Sequence, residues 1–330
     1  GTFLNLLDRS YRDDEDWSFG YRYTLFDNFD LTFNQNWLFS SDSRDIGLSQ
    51  LSRLNGLFGI AYVPNQSSQM QLMYGFENNN QLNLQSNGNI INFSAYQKDY
   101  NLQDFILNTD LSMNFLNLNL GRKNQDINAR VRFERYFEDS TILYLNFAYK
   151  KLQTNLLAYS TNDSLQPIEK RVENTITSNL FLQYQIIDPV LIGAIVDYNL
   201  IDVSRDFHQQ ISEIPYSAFY RDITQSNINF QIFSKIYIGN FSESIYLNIN
   251  NITEKNNLSN KFSNNVTELT QYQNLENQRD YNTSRVSLFS HSTYKLSNSS
   301  MISGIFSVSL NRYDTPSKDN YDDRDEFNQI

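Results

Sequence analysis

The stretch WSFGYRYTL, residues 17–25, places a large apolar or aromatic side chain at every second position. Residues 143–149 (LYLNFAY) repeat this pattern, as do residues 228–238 (INFQIFSKIYI) with one small polar interruption. A period of two is typical of a β-strand whose two faces have unlike surroundings. Repetition of this pattern along the chain predicts an all-β protein of about fourteen strands.

The predicted strands alternate with links that are in turn short and long. Asp27–Asp30 is one of the short links, and Glu77–Gly88 and Thr253–Ser284 are two of the long ones. Thr2–Leu7 is expected to form a further strand, with Asp8–Asp16 as its loop, and Arg324–Ile330 the beginning of a last one. The fourteen main strands are predicted at 16–26, 31–40, 54–63, 69–77, 89–96, 102–121, 126–136, 141–152, 172–186, 190–201, 222–238, 243–252, 284–296 and 301–312.

The composition restricts the class of protein. The chain has 330 residues, no cysteine and a formal net charge of -11, so disulfides and thiol chemistry are excluded and nucleic-acid binding is disfavoured. No run of eighteen apolar residues occurs, which excludes a membrane-spanning helix. Asn accounts for 44 residues, a content that suits turns and an uncharged polar face. No change in composition marks a linker, so residues 1–330 are expected to form a single domain that ends part-way into its last strand.

The alternating strands, the rhythm of short and long links and the aromatic content resemble the outer-membrane β-barrel proteins of Gram-negative bacteria. This resemblance implies an antiparallel up-and-down transmembrane β-barrel of about 14–16 strands. It also implies a location in the bacterial outer membrane, in contact with the lipid bilayer and lipopolysaccharide. Amphipathic rings at the level of the lipid headgroups are then expected at Trp17, Tyr21, Trp37 and Tyr149.

The parity of the strands predicts which charges face away from lipid. Arg130, Arg132 and Glu134 alternate with apolar residues in one strand, and Lys150 lies at the corresponding parity in the next. We expect these four residues to line a pore, where charges influence ion selectivity. The alternative is an ion-pair network with a purely structural role.

The run Asp13-Asp14-Glu15-Asp16 offers carboxylate oxygens in a predicted loop. Oxygen-rich loops can bind calcium, although this run lacks the twelve-residue spacing of an EF-hand. The alternative is a solvated acidic loop, and no other cofactor is expected.

The two histidines give little support for an enzyme. His208 lies in a predicted loop, and His291 lies within a strand between Ser290 and Ser292. Adjacent strand residues point to opposite faces, so neither serine can form a nucleophile–base pair with His291. The chain is therefore expected to carry out no chemical step.

Two functions are consistent with these observations. The first is a passive, porin-like channel for small polar solutes. The second is a structural or scaffolding barrel that anchors a surface or secretion complex through its long outer loops, notably Thr253–Ser284, and binds other outer-membrane or surface proteins. Stepwise conductance in a planar bilayer distinguishes the two.

Overall fold

The computed structural model describes residues 12–42, 50–81, 84–137, 141–157, 168–207, 221–258, 266–297, 299–315 and 324–329. These residues form fifteen strands, one short 3-10 helix at Asn119–Gly121 and one α-helix, α1, at Val266–Asn277. The strands are β1 (Arg12–Phe26), β2 (Phe29–Asp42), β3 (Gln50–Asn65), β4 (Ser68–Gln81), β5 (Leu84–Leu102), β6 (Phe105–Leu118), β7 (Lys123–Tyr136), β8 (Ile142–Leu157), β9 (Ile168–Ile187), β10 (Val190–Phe207), β11 (Arg221–Ile238), β12 (Phe241–Leu258), β13 (Tyr281–Ser297), β14 (Ser300–Asp314) and β15 (Arg324–Gln329).

All fifteen strands belong to one sheet, in which each strand is hydrogen-bonded to its neighbours in chain order. The pairs from β1 to β5 and from β9 to β15 are antiparallel, as between β10 and β11, where the register runs without a shift from Val190 opposite Ile236 to Val203 opposite Ile223. This is the up-and-down topology of outer-membrane barrels. The predicted fold class, all-β and antiparallel with about 14–16 strands, is confirmed. Among the described residues, no helix is both long enough and apolar enough to cross a membrane.

The chain divides into two compact units. Unit 1 comprises residues 1–97, 110–127 and 153–155, and unit 2 comprises residues 98–109, 128–152 and 156–330. The expectation of a single domain stays a prediction.

Unit 1 has an apolar face that is open to its surroundings. Trp17 is opposite Trp37, which is opposite Leu54, so these three residues share one face of β1, β2 and β3. Trp17 is 66% exposed and Trp37 50% exposed. Large apolar side chains exposed to this extent are unfavourable in water and suit lipid.

The other face of unit 1 is less polar than its parity predicted. Leu57, Met73, Ile90, Leu116 and Leu118 form a buried apolar cluster. Met73 and Leu57 have the parity opposite to that of exposed Tyr74 and Phe58. The sequence pattern alone did not distinguish these residues from isolated apolar positions, because a cluster depends on the register between strands.

Gly75 is required by the close approach of β3 and β4. A Cβ atom on Gly75 would lie 1.8 Å from the carbonyl oxygen of Gly56. No side chain fits there without a shift of the backbone.

Three link predictions are corrected by the structure. Glu77–Gly88 is not a long loop, because β4 continues to Gln81, β5 begins at Leu84, and Asn78 is opposite Asn87. The Asn-rich composition indicated a loop, but backbone pairing with neighbouring strands outweighs the weak strand propensity of Asn.

The second and third corrections concern the ends of β1 and β12. β1 already begins at Arg12, within the predicted loop Asp8–Asp16, and Arg12 is opposite Asp42. Thr253–Ser284 contains α1, while β12 extends to Leu258 and β13 begins at Tyr281. Two further strands were predicted at the ends of the chain. Thr2–Leu7 lies outside the described residues. The strand expected at Arg324–Ile330 is confirmed as β15, which pairs with β14.

Candidate functional site

The strands β9 to β14 of unit 2 present two unlike faces. Leu182, Ile232, Leu247 and Leu288 fall in one register row across four of these strands and are all exposed. This row belongs to the apolar face of unit 2. Residues of the opposite parity form what we call the polar face. Three groups of side chains on this face form the candidate site.

The first group is a row of amides. Asn179, Asp197, Asn229, Asn250 and Arg285 are mutually opposite on β9 to β13. The Asp197 carboxylate accepts hydrogen bonds from the side-chain amides of Asn179 and, at 3.0 Å, Asn229. Asn250 donates to the Oδ1 atom of Asn227 at 2.9 Å. The row is therefore a hydrogen-bonded ribbon, and its single carboxylate has two amide partners.

The second group is a row of rings, which we call the aromatic row. The ring centroids of Phe181 and Phe233 are 6.0 Å apart, those of Phe233 and Tyr246 are 6.1 Å apart, and those of Tyr246 and Phe289 are 5.9 Å apart. All four rings have the parity of the polar face. Their position was not predicted from the sequence, because the alternating pattern places aromatic residues on the lipid-facing side. Only the register between the strands shows that these four rings meet.

The third group lies at the end of the polar face where the long links emerge. Arg205 is opposite Arg171, and their ion-pair partners are Glu169 for Arg205, at 3.7 Å, and Glu173 for Arg171, at 3.5 Å. Arg221, at the beginning of β11, lies on the same face. The cluster contains both signs of charge.

Helix α1 is attached to this cluster. Glu276 is fully buried, and its Oε2 atom lies 3.9 Å from Arg221 and 3.7 Å from Arg279. The backbone N–H of Leu258 donates to Gln273 at 3.0 Å, and the N–H of Asn256 donates to Asp280 at 2.6 Å. Burial raises the pKa of the Glu276 carboxyl, against the influence of the Arg279 charge, because desolvation disfavours its ionised form.

The predicted pore-lining residues occupy β7 and β8. Arg132 and Glu134 form an ion pair at 2.7 Å, and the hydroxyl of Tyr136 donates to Glu134 at 2.9 Å. Lys150 lies on the face of β8 opposite to that of exposed Leu145 and Phe147. Arg130 and Lys150 are both exposed. The pore-lining role of these residues stays a prediction.

Three of the four aromatic residues predicted at the membrane interface are exposed on their strands. Trp17, Tyr21 and Trp37 are each at least half exposed, at 66%, 57% and 50%. Tyr149 is partly buried, and its hydroxyl donates to Asn174 at 3.3 Å. Their contact with lipid headgroups is still an expectation.

The acidic run at residues 13–16 belongs to β1 rather than to a loop. Within this strand, Glu15 points to the face opposite to that of Asp14 and Asp16. The Asp14 carboxylate accepts a hydrogen bond from the Ser40 hydroxyl at 2.5 Å. No group of three His, Cys, Asp or Glu side chains suited to a metal ion occurs among the described residues, and calcium binding stays a prediction.

His291 and the neighbouring serines do not come together. Ser290 and Ser292 both donate to the Glu243 carboxylate on the apolar face, while His291 is opposite Ser244 on the polar face. His208 lies outside the described residues.

A buried charge cluster in unit 1 was not identified from the sequence. Glu77 is fully buried and pairs with Arg53 at 2.8 Å. Arg122 is also buried, donates to Ser86 at 3.3 Å, and is within the electrostatic influence of Glu77. Glu77 was assigned to a loop, so nothing in the sequence pattern indicated its burial.

No protein-family model matches the chain, and no curated protein matches it. Among solved structures, the chain is similar to the trimer form of OmpT (in-vitro folded), an outer membrane protein of Vibrio cholerae. The two chains are 11% identical, the match covers 98% of this chain and 96% of that chain, and the TM-score is 0.29. A likeness at that score carries no information about function.

Proposed function

We propose that the protein is a passive channel for small polar solutes in the outer membrane of a Gram-negative bacterium. The observation that supports this proposal most directly is the contrast between the two faces of β9 to β14. The apolar face exposes Leu182, Ile232, Leu247 and Leu288 at 38–45%. The polar face carries the row of amides from Asn179 to Arg285, three residues away along the same strands.

The apolar face requires a nonpolar environment. Soluble monomers rarely expose contiguous apolar patches larger than about 300–600 Å². A row of leucine and isoleucine side chains across several strands, flanked by exposed rings such as Tyr184, fits the hydrocarbon and the headgroup level of a bilayer. Contact with lipid and lipopolysaccharide follows from this part of the proposal.

The polar face suits the passage of uncharged polar solutes. Its amides hydrogen-bond to one another and offer both donors and acceptors to a passing solute. The charged groups at Arg130, Arg132, Glu134 and Lys150 would modulate ion selectivity. In this proposal the solute undergoes no chemical step.

The test is reconstitution of the purified, folded protein into a planar bilayer. We expect stepwise increases in conductance at fixed voltage. A folded protein that inserts into the bilayer and never conducts would refute the channel.

A scaffolding barrel is the second candidate, and one observation favours it. Helix α1 is fixed to the strands through Glu276 and Gln273. Two apolar side chains of this helix remain exposed, Val266 at 76% and Leu275 at 46%. A fixed helix with exposed apolar side chains is suited to contact with another surface protein. Silence in the bilayer, together with a partner that co-purifies through α1, would support this candidate.

A further inference from the structure

We propose that the aromatic row and the amides beside it form a binding track for neutral oligosaccharides. This inference rests on the proposed channel and names its solute class. It starts from a departure from the expected pattern, because Phe181, Phe233, Tyr246 and Phe289 lie on the polar face and not on the lipid face.

The backbone makes room for these rings. Phe181 on β9 and Phe233 on β11 are separated by Gly193 on β10, and their rings stack with an interplanar angle of 20°. A Cβ atom on Gly193 would lie 2.2 Å from the Cζ atom of Phe233. A glycine at this position therefore allows the two rings to meet across the middle strand and to continue into the rings of Tyr246 and Phe289.

Hydrogen-bond acceptors without partners lie on the same face, and one of them is close to the rings. The Oδ1 atoms of Asn199, Asn229 and Asn248 are buried and have no hydrogen-bond partner. Asn248 is two residues from Tyr246 on β12, a distance of about 7 Å along a strand. Asn229 lies four residues from Phe233 and Asn199 six residues from Gly193, so of the three acceptors only Asn248 lies near the rings. Buried acceptors in native proteins are normally paired, so Asn248 points to a ligand that supplies a donor.

The two observations together define the ligand chemistry. A row of rings favours a ligand with flat, weakly polar surfaces, and the unpaired Asn248 acceptor favours one with hydroxyl donors. Sugar rings combine both properties: their C–H faces stack on aromatic rings and their hydroxyls donate to amide oxygens. A lipid lacks these hydroxyl donors.

The length of the aromatic row indicates an oligosaccharide rather than a monosaccharide. The four rings extend from β9 to β13, with neighbouring centroids about 6 Å apart. Phe233 is 3% exposed, so a chain of sugar rings would contact the partly exposed rings of Phe181, Tyr246 and Phe289, which would guide it along the polar face.

The experiment measures the ion current through the full chain in planar bilayers while a neutral oligosaccharide is added. Maltotetraose and cellotetraose are the probes, and polyethylene glycol of similar mass is the steric control because it has hydroxyls only at its ends. We expect saturable block by at least one tetrasaccharide and none by the polymer at the same concentration.

Variants locate the site. Tyr246→Leu and Phe289→Leu should each raise the half-blocking concentration about 10-fold, and Asn248→Leu about 3- to 10-fold, as expected for one lost contact or hydrogen bond. Tyr246→Phe keeps the ring and should stay within about 2-fold of the wild type. Phe230→Leu removes a ring from the apolar face of β11 and should leave the block unchanged.

The outcomes separate this inference from the proposed function. Conductance without saturable block, or equal block by polymer and sugar, would refute the track and leave the channel intact. Absence of conductance would refute the channel itself. If a ring variant does not fold, Asn248→Leu and Tyr246→Phe still show whether the track binds the sugar. Loss of block in Phe230→Leu would overturn the assignment of the track to the polar face.

Discussion

At the scale of single residues, the face on which a side chain lies determines its tolerance of charge. Leu145 is 41% exposed on the apolar face of β8, and Asn146 lies on the opposite face. We expect Leu145→Arg to lower the free energy of unfolding in lipid vesicles by about 2–4 kcal/mol if the residue lies at the bilayer midplane. Chemical denaturation followed by tryptophan fluorescence measures this change.

Asn146→Arg is the matched control, because it places the same charge on the neighbouring residue of the same strand. It should change the free energy of unfolding by less than about 1 kcal/mol. Equal stabilities for the two variants would show that the faces of β8 are assigned wrongly.

The buried carboxylate of unit 1 allows a second prediction for a single residue. Glu77→Gln keeps the shape of the side chain but removes the carboxylate charge that acts on the buried Arg122. Removal of one partner of a buried pair costs about 3–5 kcal/mol, and the partial exposure of Arg53 should bring the loss to the lower end of this range.

Asp104→Asn is the comparison for Glu77→Gln. The Asp104 side chain is 70% exposed and pairs with Arg135 at 2.8 Å. Exposed pairs contribute about 0–1 kcal/mol, so this variant should be close to the wild type in the same denaturation experiment. A loss as large as that of Glu77→Gln would argue against burial as the cause.

At the scale of elements, the strands were more predictable than the links. Strand alternation is visible in the sequence because lipid contact requires apolar side chains at every second position, as in residues 17–25. Helix α1 was not visible, because its sequence VTELTQYQNLEN has no continuous apolar stripe. Its position depends on contacts of Glu276 and Gln273 with residues distant in sequence. The aromatic row was missed for a similar reason, since it exists only once the register of β9 to β13 is known.

The docking of α1 should depend on pH. The pKa of Glu276 is raised in the docked state, so the docked helix binds a proton more tightly than the released helix does. Docking is then most favourable below the ordinary pKa of a glutamate and weakens as the pH rises through the raised value. The charged groups near this carboxyl are Arg221, Arg279 and Asp280.

Hydrogen exchange of the α1 amides as a function of pH, corrected for the intrinsic exchange rates, measures this dependence. We expect protection to decrease as the pH is raised through the titration of Glu276 in the wild type. In Glu276→Gln the decrease should be absent, because the amide does not titrate. A decrease of the same size in both proteins would mean that another group controls the docking.

At the scale of the whole molecule, the overall acidity and the local charges of the polar face make opposite predictions for ion selectivity. The chain carries a formal net charge of -11, which by itself favours cations. Exposed charges in loops are screened over about 8–10 Å, however, whereas charges beside a narrow pathway act directly on the passing ion. Arg130, Arg132 and Lys150 should therefore favour anions locally if their faces line the pathway.

The structure indicates which of these cations contributes most. Arg132 is neutralised by Glu134 at 2.7 Å, while Arg130 and Lys150 are exposed and have no ion pair among the described residues. Replacing Arg130 and Lys150 with Gln should shift the reversal potential in a salt gradient towards cation selectivity, and Arg132→Gln alone should shift it less. An unchanged reversal potential in the double variant, with conductance retained, would assign Arg130 and Lys150 a purely structural role. A larger shift in Arg132→Gln than in the double variant would show that the pair with Glu134 does not neutralise the guanidinium in the open channel.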